Sequence, residues 1–325
     1  MFSVIIPLFN KDLYIEKALQ SVLNQTNQDF EIIIVNDGST DNSLGNIQFA
    51  INKLQVEKPD QYLKIKIITQ INQGVSVAKN NGVNVANYDY IAFLDADDWW
   101  ESTYLEEMVE LIEEYTNAGI YGSNYYLIKN GNKKVAPIGI DSTFKKGIIN
   151  YFKVYVKTGC MPIWTGATII KRSTFKTENG FKPNLKLGED FDLWVRLALK
   201  YPVAYLNKPL ANYNQDVEIG NRAIGEKLYE PHEHMLFTDY GNLMDNADFK
   251  NLYEVLAVYG LLPYYIAQKN KKEVASILSG IQWENHSFKY RLNYKILPIQ
   301  ILKIWMKFLI LGSKLKQMLL SKINH

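Results

Sequence analysis

The sequence predicts an α/β fold: a mainly parallel sheet between layers of helices, followed by a helical C-terminal region. Three observations carry this prediction. Strand-like and helix-like runs alternate through the first hundred residues, which is the pattern of βαβ units. The strand runs are apolar on both faces, as in a sheet covered by helices on both sides. After Pro209 the chain shifts to long helical periodicity.

The elements follow in order. Phe2 to Ile6 reads as a short strand stopped by Pro7. Leu13, Ile15, Ala18, Leu19, Val22 and Leu23 fall at helical spacing. Phe30 to Val35 is a β-branched run that ends in the turn cluster Asn36-Asp37-Gly38-Ser39, and Ser39 or Thr40 would cap the next helix. Ile65 to Thr69 reads as a third strand, Gln73 to Val85 as a helix and Tyr90 to Leu94 as a fourth strand. Helix returns from Ser102, a candidate cap, to Tyr115. Gly, Pro and Asn break short strands between Gly119 and Ile170, and Glu189 to Tyr201 is a clear helix. The change of periodicity places a boundary near Asn221, giving domains 1–220 and 221–325.

Composition narrows the class. The chain has 325 residues, 47% hydrophobic and 22% charged, enough apolar material for a real core. Cys160 is the only cysteine, so no disulfide framework exists, and a structural zinc site is not expected. The start Met-Phe-Ser-Val-Ile-Ile-Pro is unlike a secretory leader, and no apolar run reaches the ~20 residues that cross a bilayer. Cytoplasmic residence is the expectation, without a nucleic-acid partner. Net charge is +2, unevenly spread: Asn285 to His325 holds eight Lys or Arg and no acid. That asymmetry points to an anionic surface as partner.

In open α/β sheets, ligands bind beyond the carboxyl ends of the strands. Here those ends read Pro7-Leu8-Phe9-Asn10, Asn36-Asp37-Gly38-Ser39, Asn72-Gln73-Gly74 and Asp95-Ala96-Asp97-Asp98. Three acids in four residues repel one another: at ~4 Å two unit charges cost roughly 4 kcal/mol at an effective dielectric of about 20. A hard divalent ion, Mg²⁺ or Mn²⁺, would offset that through oxygen ligands. Taken alone, the triplet reads equally well as a solvated acidic turn before a helix. No phosphate-binding Gly-x-x-x-x-Gly-Lys or Gly-x-Gly-x-x-Gly follows the first strand.

Five segments together resemble family 2 glycosyltransferases. They are Val4 to Asn10 with Ile15 to Gln25, Ile34 to Asp41, Asn72 to Asn80, Leu94 to Asp98, and Gly188 to Trp194. Order and spacing both match, over roughly residues 1 to 215. The resemblance implies a GT-A type, Rossmann-like α/β/α sandwich and an inverting transfer of sugar from a nucleotide diphosphate sugar, with UDP the expected carrier. The acceptor would be a hydroxyl of a glycan or lipid-linked molecule, in cell-surface polysaccharide synthesis.

It also implies roles. Pro7, Phe9 and Asn10 would line the nucleoside pocket, and Asp37 would accept a hydrogen bond from the base. Asn72 and Lys79 would lie beside base and phosphates. Asp95, Ala96 and Asp97 would form the donor-binding Asp-x-Asp. Asp97 would bind Mn²⁺ or Mg²⁺ directly, and Asp95 the ribose or the metal shell. Asp190 would be the general base and Glu189 would touch sugar or acceptor; read alone, Glu189-Asp190 equally suits a helix N-terminus. Two departures stand out. Lys79 replaces an arginine common in relatives, losing its bidentate fork. Tyr213-Asn214-Gln215-Asp216 replaces a Tyr-Arg-x-His segment, so Gln215, Asp216 or water would complete the metal shell and Arg222 would supply charge.

Trp100 and Trp164 are weighed as acceptor contacts against core packing, while Trp194 and Trp99 read as core. His232 and His234, two apart, read as a surface helix rather than a metal pair. Residues 296–325 form a basic amphipathic tail suited to peripheral membrane association at the inner face of the cytoplasmic membrane. Two other functions are set against transfer. A sugar-nucleotide pyrophosphorylase would need a basic Gly-rich loop after the first strand, and none is there. A non-catalytic glycan-binding or scaffold protein on a degenerate transferase fold is opposed by the intact acids.

Overall fold

The structure is a computed structural model that describes residues 1–217 and 228–304. Its first half alternates as the periodicity requires: β1 (Phe2–Leu8), α1 (Ile15–Leu23), β2 (Phe30–Asn36), α2 (Ser43–Glu57), the single turn α3 (Pro59–Tyr62), β3 (Ile65–Thr69), α4 (Val75–Asn84) and β4 (Tyr90–Phe93). The second half adds β5 (Trp99–Trp100), α5 (Tyr104–Glu114), β6 (Ile120–Lys129), β7 (Asn132–Val135), β8 (Lys146–Ile149), α6 (Tyr151–Thr158), β9 (Thr168–Lys171), α7 (Arg172–Thr177), α8 (Glu189–Ala198) and β10 (Val203–Asn214).

The sheet runs β3-β2-β1-β4-β9-β6-β10-β5, with β7 beside β6 and β8 beside β10. Strands β1 to β4 pair in parallel. β9 then enters antiparallel to both β4 and β6, so the sheet is mixed rather than mainly parallel. The strand order reverses between β1 and β4, and a ligand crevice opens at such a switch point.

Packing explains the first four strands. Val4, Ile6 and Leu8 of β1 share one apolar cluster with Ala18, Leu19 and Val22 of α1 and Ile47 and Leu54 of α2. The other face meets α4 at Gly82, where a Cβ would fall 2.4 Å from Ile5 Cγ2 and 3.2 Å from Val35 Cγ2. Only glycine lets the helix lie that close.

β1 continues through Pro7 to Leu8, two residues beyond the expected stop. Ile5 O accepts from Leu94 N, so the odd positions of β1 turn their backbone toward β4. Pro7 faces the same way past the end of β4, where a missing N–H costs no ladder bond. α1 begins at Ile15, and Leu13 is exposed. Neither Ser39 nor Thr40 caps α2; Asp41 Oδ1 accepts from Ser43 N instead. Thr103, not Ser102, stands at the start of α5, without a side-chain cap. The segment after Pro209 remains strand to Asn214, with register shifts flanking Pro209 that absorb the proline in β10.

α8 is locked from beneath. Asp192 is fully buried and takes Lys182 Nζ at 2.7 Å on one oxygen and Arg196 Nε at 2.9 Å on the other. Arg196 also donates to the carbonyls of Glu178 and Gly180. Removing one partner of such a buried pair strands the others, so Asp192→Ala is expected to cost ~3–5 kcal/mol of folding stability. Urea denaturation measures it; a loss under ~1 kcal/mol would contradict this account.

Contacts divide the chain into Met1–Leu252 and a second unit beginning at Tyr253. The expected boundary at 221 lies outside the described residues. Helix α9 (Ala247–Gly260) spans the division, and α10 (Leu262–Ala267), α11 (Lys271–Ser279) and α12 (Phe288–Arg291) follow. Another helix starts at residue 299, and most of the expected tail, 305–325, lies outside the described residues. No helix among the described residues is long and apolar enough to cross a membrane.

Candidate active site

The loops after β1 and β2 are stitched together. Asn10 adopts a left-handed φ of 51°. Its side chain accepts from Thr40 N at 2.8 Å and donates to Thr40 Oγ1 at 3.2 Å. Lys11 N donates to Ser43 Oγ at 2.7 Å. Asp37, almost fully buried, draws in the third loop: its carboxylate accepts from Gln70 Nε2 and Gln73 N, both at 2.8 Å, and from Gly74 N at 2.9 Å. A carboxylate offers about four lone-pair sites, so one remains for a ligand N–H. Pro7 is half-buried, while Phe9 and Asn72 are exposed at the mouth of this crevice.

The acidic turn after β4 is charge-compensated. Lys79 Nζ, on α4, lies 3.1 Å from Asp95 Oδ1, an ion pair without hydrogen-bond alignment. Lys11 Nζ lies 2.8 Å from Asp97 Oδ2. Asp97 is raised above the usual carboxylate range, chiefly by burial, with Lys11 opposing and Asp95 adding to the shift. Ala96, between them, is buried. Asp98 points inward. It accepts from Asn214 N at 2.7 Å, tying the turn to the end of β10, and burial with Asp97 and Asp95 pushes it well up.

Glu189 and Asp190 open α8 after Gly188, whose φ is 78° and whose absent Cβ leaves room for Met235 Cγ. Asp190 Oδ1 accepts from Phe191 N at 2.7 Å, and Oδ2 accepts from Thr165 Oγ1 at 3.4 Å. Burial raises Asp190, and Lys79 pulls it back. Burial and then Asp190 push Glu189 up to about 7. Burial works against the charge of Lys79, yet Asp95, Glu189 and Asp190 together more than offset it, so its affinity for a proton is raised. One ammonium therefore joins the acidic turn after β4 to the acids of α8.

Other residues fall differently. Trp100 is 3% exposed, stacks on Tyr104 at 4.3 Å and donates Nε1–H to Gly166 O at 2.7 Å. It is a core residue, which removes it as an acceptor contact. Trp164 sits between Tyr125 and Tyr213, each 5.0 Å away, and is 9% exposed. Trp194 is fully buried. Asp216 accepts from Asn130 N and Gly131 N, so it caps the β6–β7 turn. His234 is buried rather than on a surface helix; its Nδ1 accepts from Leu236 N, and burial lowers it to about 4. Arg222 lies outside the described residues.

Lys11 and Thr165 stand beside the acids without a sign in the sequence, and Tyr213, of the stretch that departs from the family pattern, joins them. Tyr213 is raised to about 12 by burial and by Asp98, Asp95, Asp97 and Asp190.

The donor atoms suit a divalent ion in part. Asp95 Oδ1 is buried without a hydrogen bond, and Asp97 faces the same turn. Among the described residues no group of three or more His, Cys, Asp or Glu could form a metal cage. Two carboxylates with phosphate and water completing the shell is how Mg²⁺ usually binds.

Residues 3–177 match the family described as Glycosyl transferase family 2. The amylovoran biosynthesis glycosyltransferase AmsB of Erwinia amylovora is 27% identical over 239 residues, 70% of this chain and 74% of that one. TuaG of Bacillus subtilis, named as a candidate teichuronic acid biosynthesis glycosyltransferase, is 31% identical over 66% of this chain and 78% of its own. An uncharacterized glycosyltransferase of Rickettsia felis is 33% identical over 64% of this chain, which spans only 32% of that protein's length. The S. aureus TarS 1-349 structure in complex with UDP superposes with a TM-score of 0.56 at 19% identity, over 91% of this chain and 75% of that one. The mannosyltransferase PcManGT of Pyrobaculum calidifontis, solved with GDP-Man and Mn²⁺, gives 0.53 at 14% identity, over 95% of this chain and 80% of that one. At such identities the structures speak for the fold alone, a mixed-sheet α/β architecture of GT-A type with a helical C-terminal region. With more than half of its length matched to one family, the chain belongs to glycosyl transferase family 2.

Proposed function

We propose that this chain transfers a sugar, with inversion, from a nucleotide diphosphate sugar to a hydroxyl of a glycan or lipid-linked acceptor, and that the carrier is UDP. The observation that carries this reading is Lys79, buried and shared between Asp95 on one side and Glu189 and Asp190 on the other. It sets a candidate base beside a candidate diphosphate site. Pro7, Phe9, Asn10, Asp37 and Asn72 line the nucleoside end, and Lys79, Asp95 and Asp97 the phosphate end.

The acceptor oxygen attacks the anomeric carbon, and its proton passes to Asp190. The bond from that carbon to the diphosphate oxygen breaks, and its electron pair leaves with the diphosphate. One direct displacement inverts the anomeric centre. Glu189 and Trp164 would contact the sugar or acceptor. Asp97, with Asp95, would hold Mn²⁺ or Mg²⁺, which when bound offsets charge on the leaving diphosphate. Thr165 and the Phe191 N–H hold the Asp190 carboxylate in place.

Purified protein with Mn²⁺ and a panel of nucleotide sugars tests the reading, scored by slow UDP release through hydrolysis. Neither release nor binding of any UDP-sugar would leave the non-catalytic alternative standing. Asp97→Ala is expected to weaken Mn²⁺-dependent donor binding by at least ~tenfold. Calorimetry with and without Mn²⁺ checks this, and unchanged metal dependence would count against Asp97 as ligand.

AmsB and TuaG bear names from polysaccharide biosynthesis, which supports a cell-surface glycan as product. Peripheral attachment through 296–325 at the inner face of the cytoplasmic membrane is supported by the charge asymmetry and by the exposure of Ile296, Ile301 and Ile304. Truncation after Tyr294 should move the protein from the membrane to the soluble fraction of lysed cells. Unchanged partition would sink the attachment.

A further inference from the structure

The two oxygens of Asp37 are not equally occupied. Gln70 Nε2 and the Gln73 N–H both reach Oδ1, each at 2.8 Å, while the Gly74 N–H reaches Oδ2 at 2.9 Å. A carboxylate offers about four lone-pair sites, two on each oxygen. Oδ1 is therefore closed, and Oδ2 keeps one site. Two of the three donors are backbone groups of the loop after β3. The third is a side chain whose orientation its neighbours dictate. A carboxylate only accepts, so Gln70 must turn its NH₂ to Asp37. The Gln70 oxygen then faces Asn81 of α4, whose Nδ2 donates to it at 2.7 Å. Gln70 N donates to Asn36 O at 3.0 Å, which anchors the residue beside the end of β2. Gly38 lets the two loops close together: its φ is 70°, and a Cβ on it would lie 2.9 Å from Asn72 N and 3.4 Å from Gln70 O.

We propose that Gln70, held in place by Asn81, is a specificity-determining positioning residue: by closing Oδ1 of Asp37 it limits the nucleobase to a single N–H, and so selects uracil against guanine. This rests on the donor-site reading above, in which Asp37 meets the base. Uracil offers one N–H, between two carbonyls, and the remaining site on Oδ2 takes it. Guanine offers two donors side by side, its ring N1–H and its 2-amino group. It pairs with a carboxylate as a fork that needs both oxygens. With Oδ1 closed, the second donor is stripped of water without gaining an acceptor, which weakens binding. Specificity then comes from denying the wrong base a partner. The Gln73 N–H alone would leave one site open on Oδ1, and Gln70 is the group that removes it.

The test compares GDP with inosine diphosphate (IDP) by calorimetry in the presence of Mn²⁺, with UDP as reference. The two purine nucleotides differ only in the 2-amino group, so ring size and phosphate contacts cancel in their ratio. Wild-type protein is expected to bind IDP roughly tenfold tighter than GDP. Gln70→Met keeps the length of the side chain and opens a site on Oδ1. It should bring GDP level with IDP or ahead of it, while UDP and IDP shift together. Asn81→Asp tests the relay. An acceptor-only side chain there draws the Gln70 NH₂ away from Asp37, and the preference for IDP should fall in the same way; the added charge weighs equally on both purines. In Gln70→Met the further change Asn81→Asp should leave the ratio alone, because Asn81 acts only through Gln70. A merely structural loss would weaken the three nucleotides together and leave the ratio where it was. An unchanged ratio in Gln70→Met overturns the proposal, as does wild-type protein that binds GDP as tightly as IDP. Protein that binds UDP but neither purine, with or without the substitution, overturns it too, since ring size then does the selecting. A wild-type ratio in Asn81→Asp removes Asn81 from the relay. Wild-type protein that binds none of the three overturns the donor-site reading as well.

Discussion

Asp190→Asn should retain UDP-sugar binding and lose transfer, with kcat down by ~10²–10⁴-fold, the usual worth of a positioned general base. The substitution is nearly isosteric. Asparagine Oδ1 can still accept from Phe191 N and keep the start of α8 in place. What disappears is the carboxylate proposed to take the acceptor's proton. The pH profile adds a second reading. Burial raises both Asp190 and Glu189, the latter to about 7, and the two share their protons as a pair. A base works only when ionised, so the rate should climb as pH rises toward neutrality and level off above it. In Glu189→Gln one negative neighbour is gone. Ionising Asp190 becomes easier, and the acid limb should move to lower pH. Normal transfer by Asp190→Asn in a kinetic assay would remove Asp190 from the role.

Lys79→Met should be almost as damaging, by a different route. It takes the shared ammonium from Asp95, Glu189 and Asp190. Removing a charge aimed at a reacting group costs ~10²–10³-fold in rate, and here the proposed base, Asp190, also becomes harder to ionise. The acid limb should therefore move to higher pH, opposite to Glu189→Gln. Stability carries the same signature. Acids whose folded pKa lies above the unfolded value of ~4 lose stability as pH rises past it. The variant should fall further below the wild type at pH 8 than at pH 5 in thermal melts. A pH-independent gap between the two would refute this account of Lys79.

The N-terminal half of the fold was legible because each strand there is followed by a helix of its own, and periodicity sees both. β3 matches its expected range from Ile65 to Thr69. β6 was not legible, since Gly122-Ser123-Asn124 look like a breaker yet lie inside a ten-residue strand. They are buried there: Ser123 Oγ and the Asn124 side chain find partners within the sheet, and Gly122 lies close under Ile163. β9 has four residues, and its antiparallel entry depends on partners about fifty and eighty positions upstream. The sequence reads as helical after Pro209, yet β10 runs on to Asn214. Pro209 sits at a register shift, where a strand can hold a proline.

The acids of the site were readable as motifs, since each falls in a short run at a strand end or a helix start. Their cations were only half readable. Lys79 belongs to a recognisable segment. Lys11 stands in a loop 86 positions from Asp97 and reads like any solvated lysine until the loops are folded together. Trp100 illustrates the opposite error. Adjacency to the acidic turn suggested contact with a ligand, but strand alternation turns its ring into the core.

The stitching of the first two loops has a kinetic corollary. Segments held by Asn10, Ser43 and Asp37 have little conformational freedom left to surrender if a nucleoside settles against them as proposed. Such a surface behaves as a mould rather than a jaw. If these bonds persist on binding, nucleosides should differ in how long they stay more than in how fast they arrive.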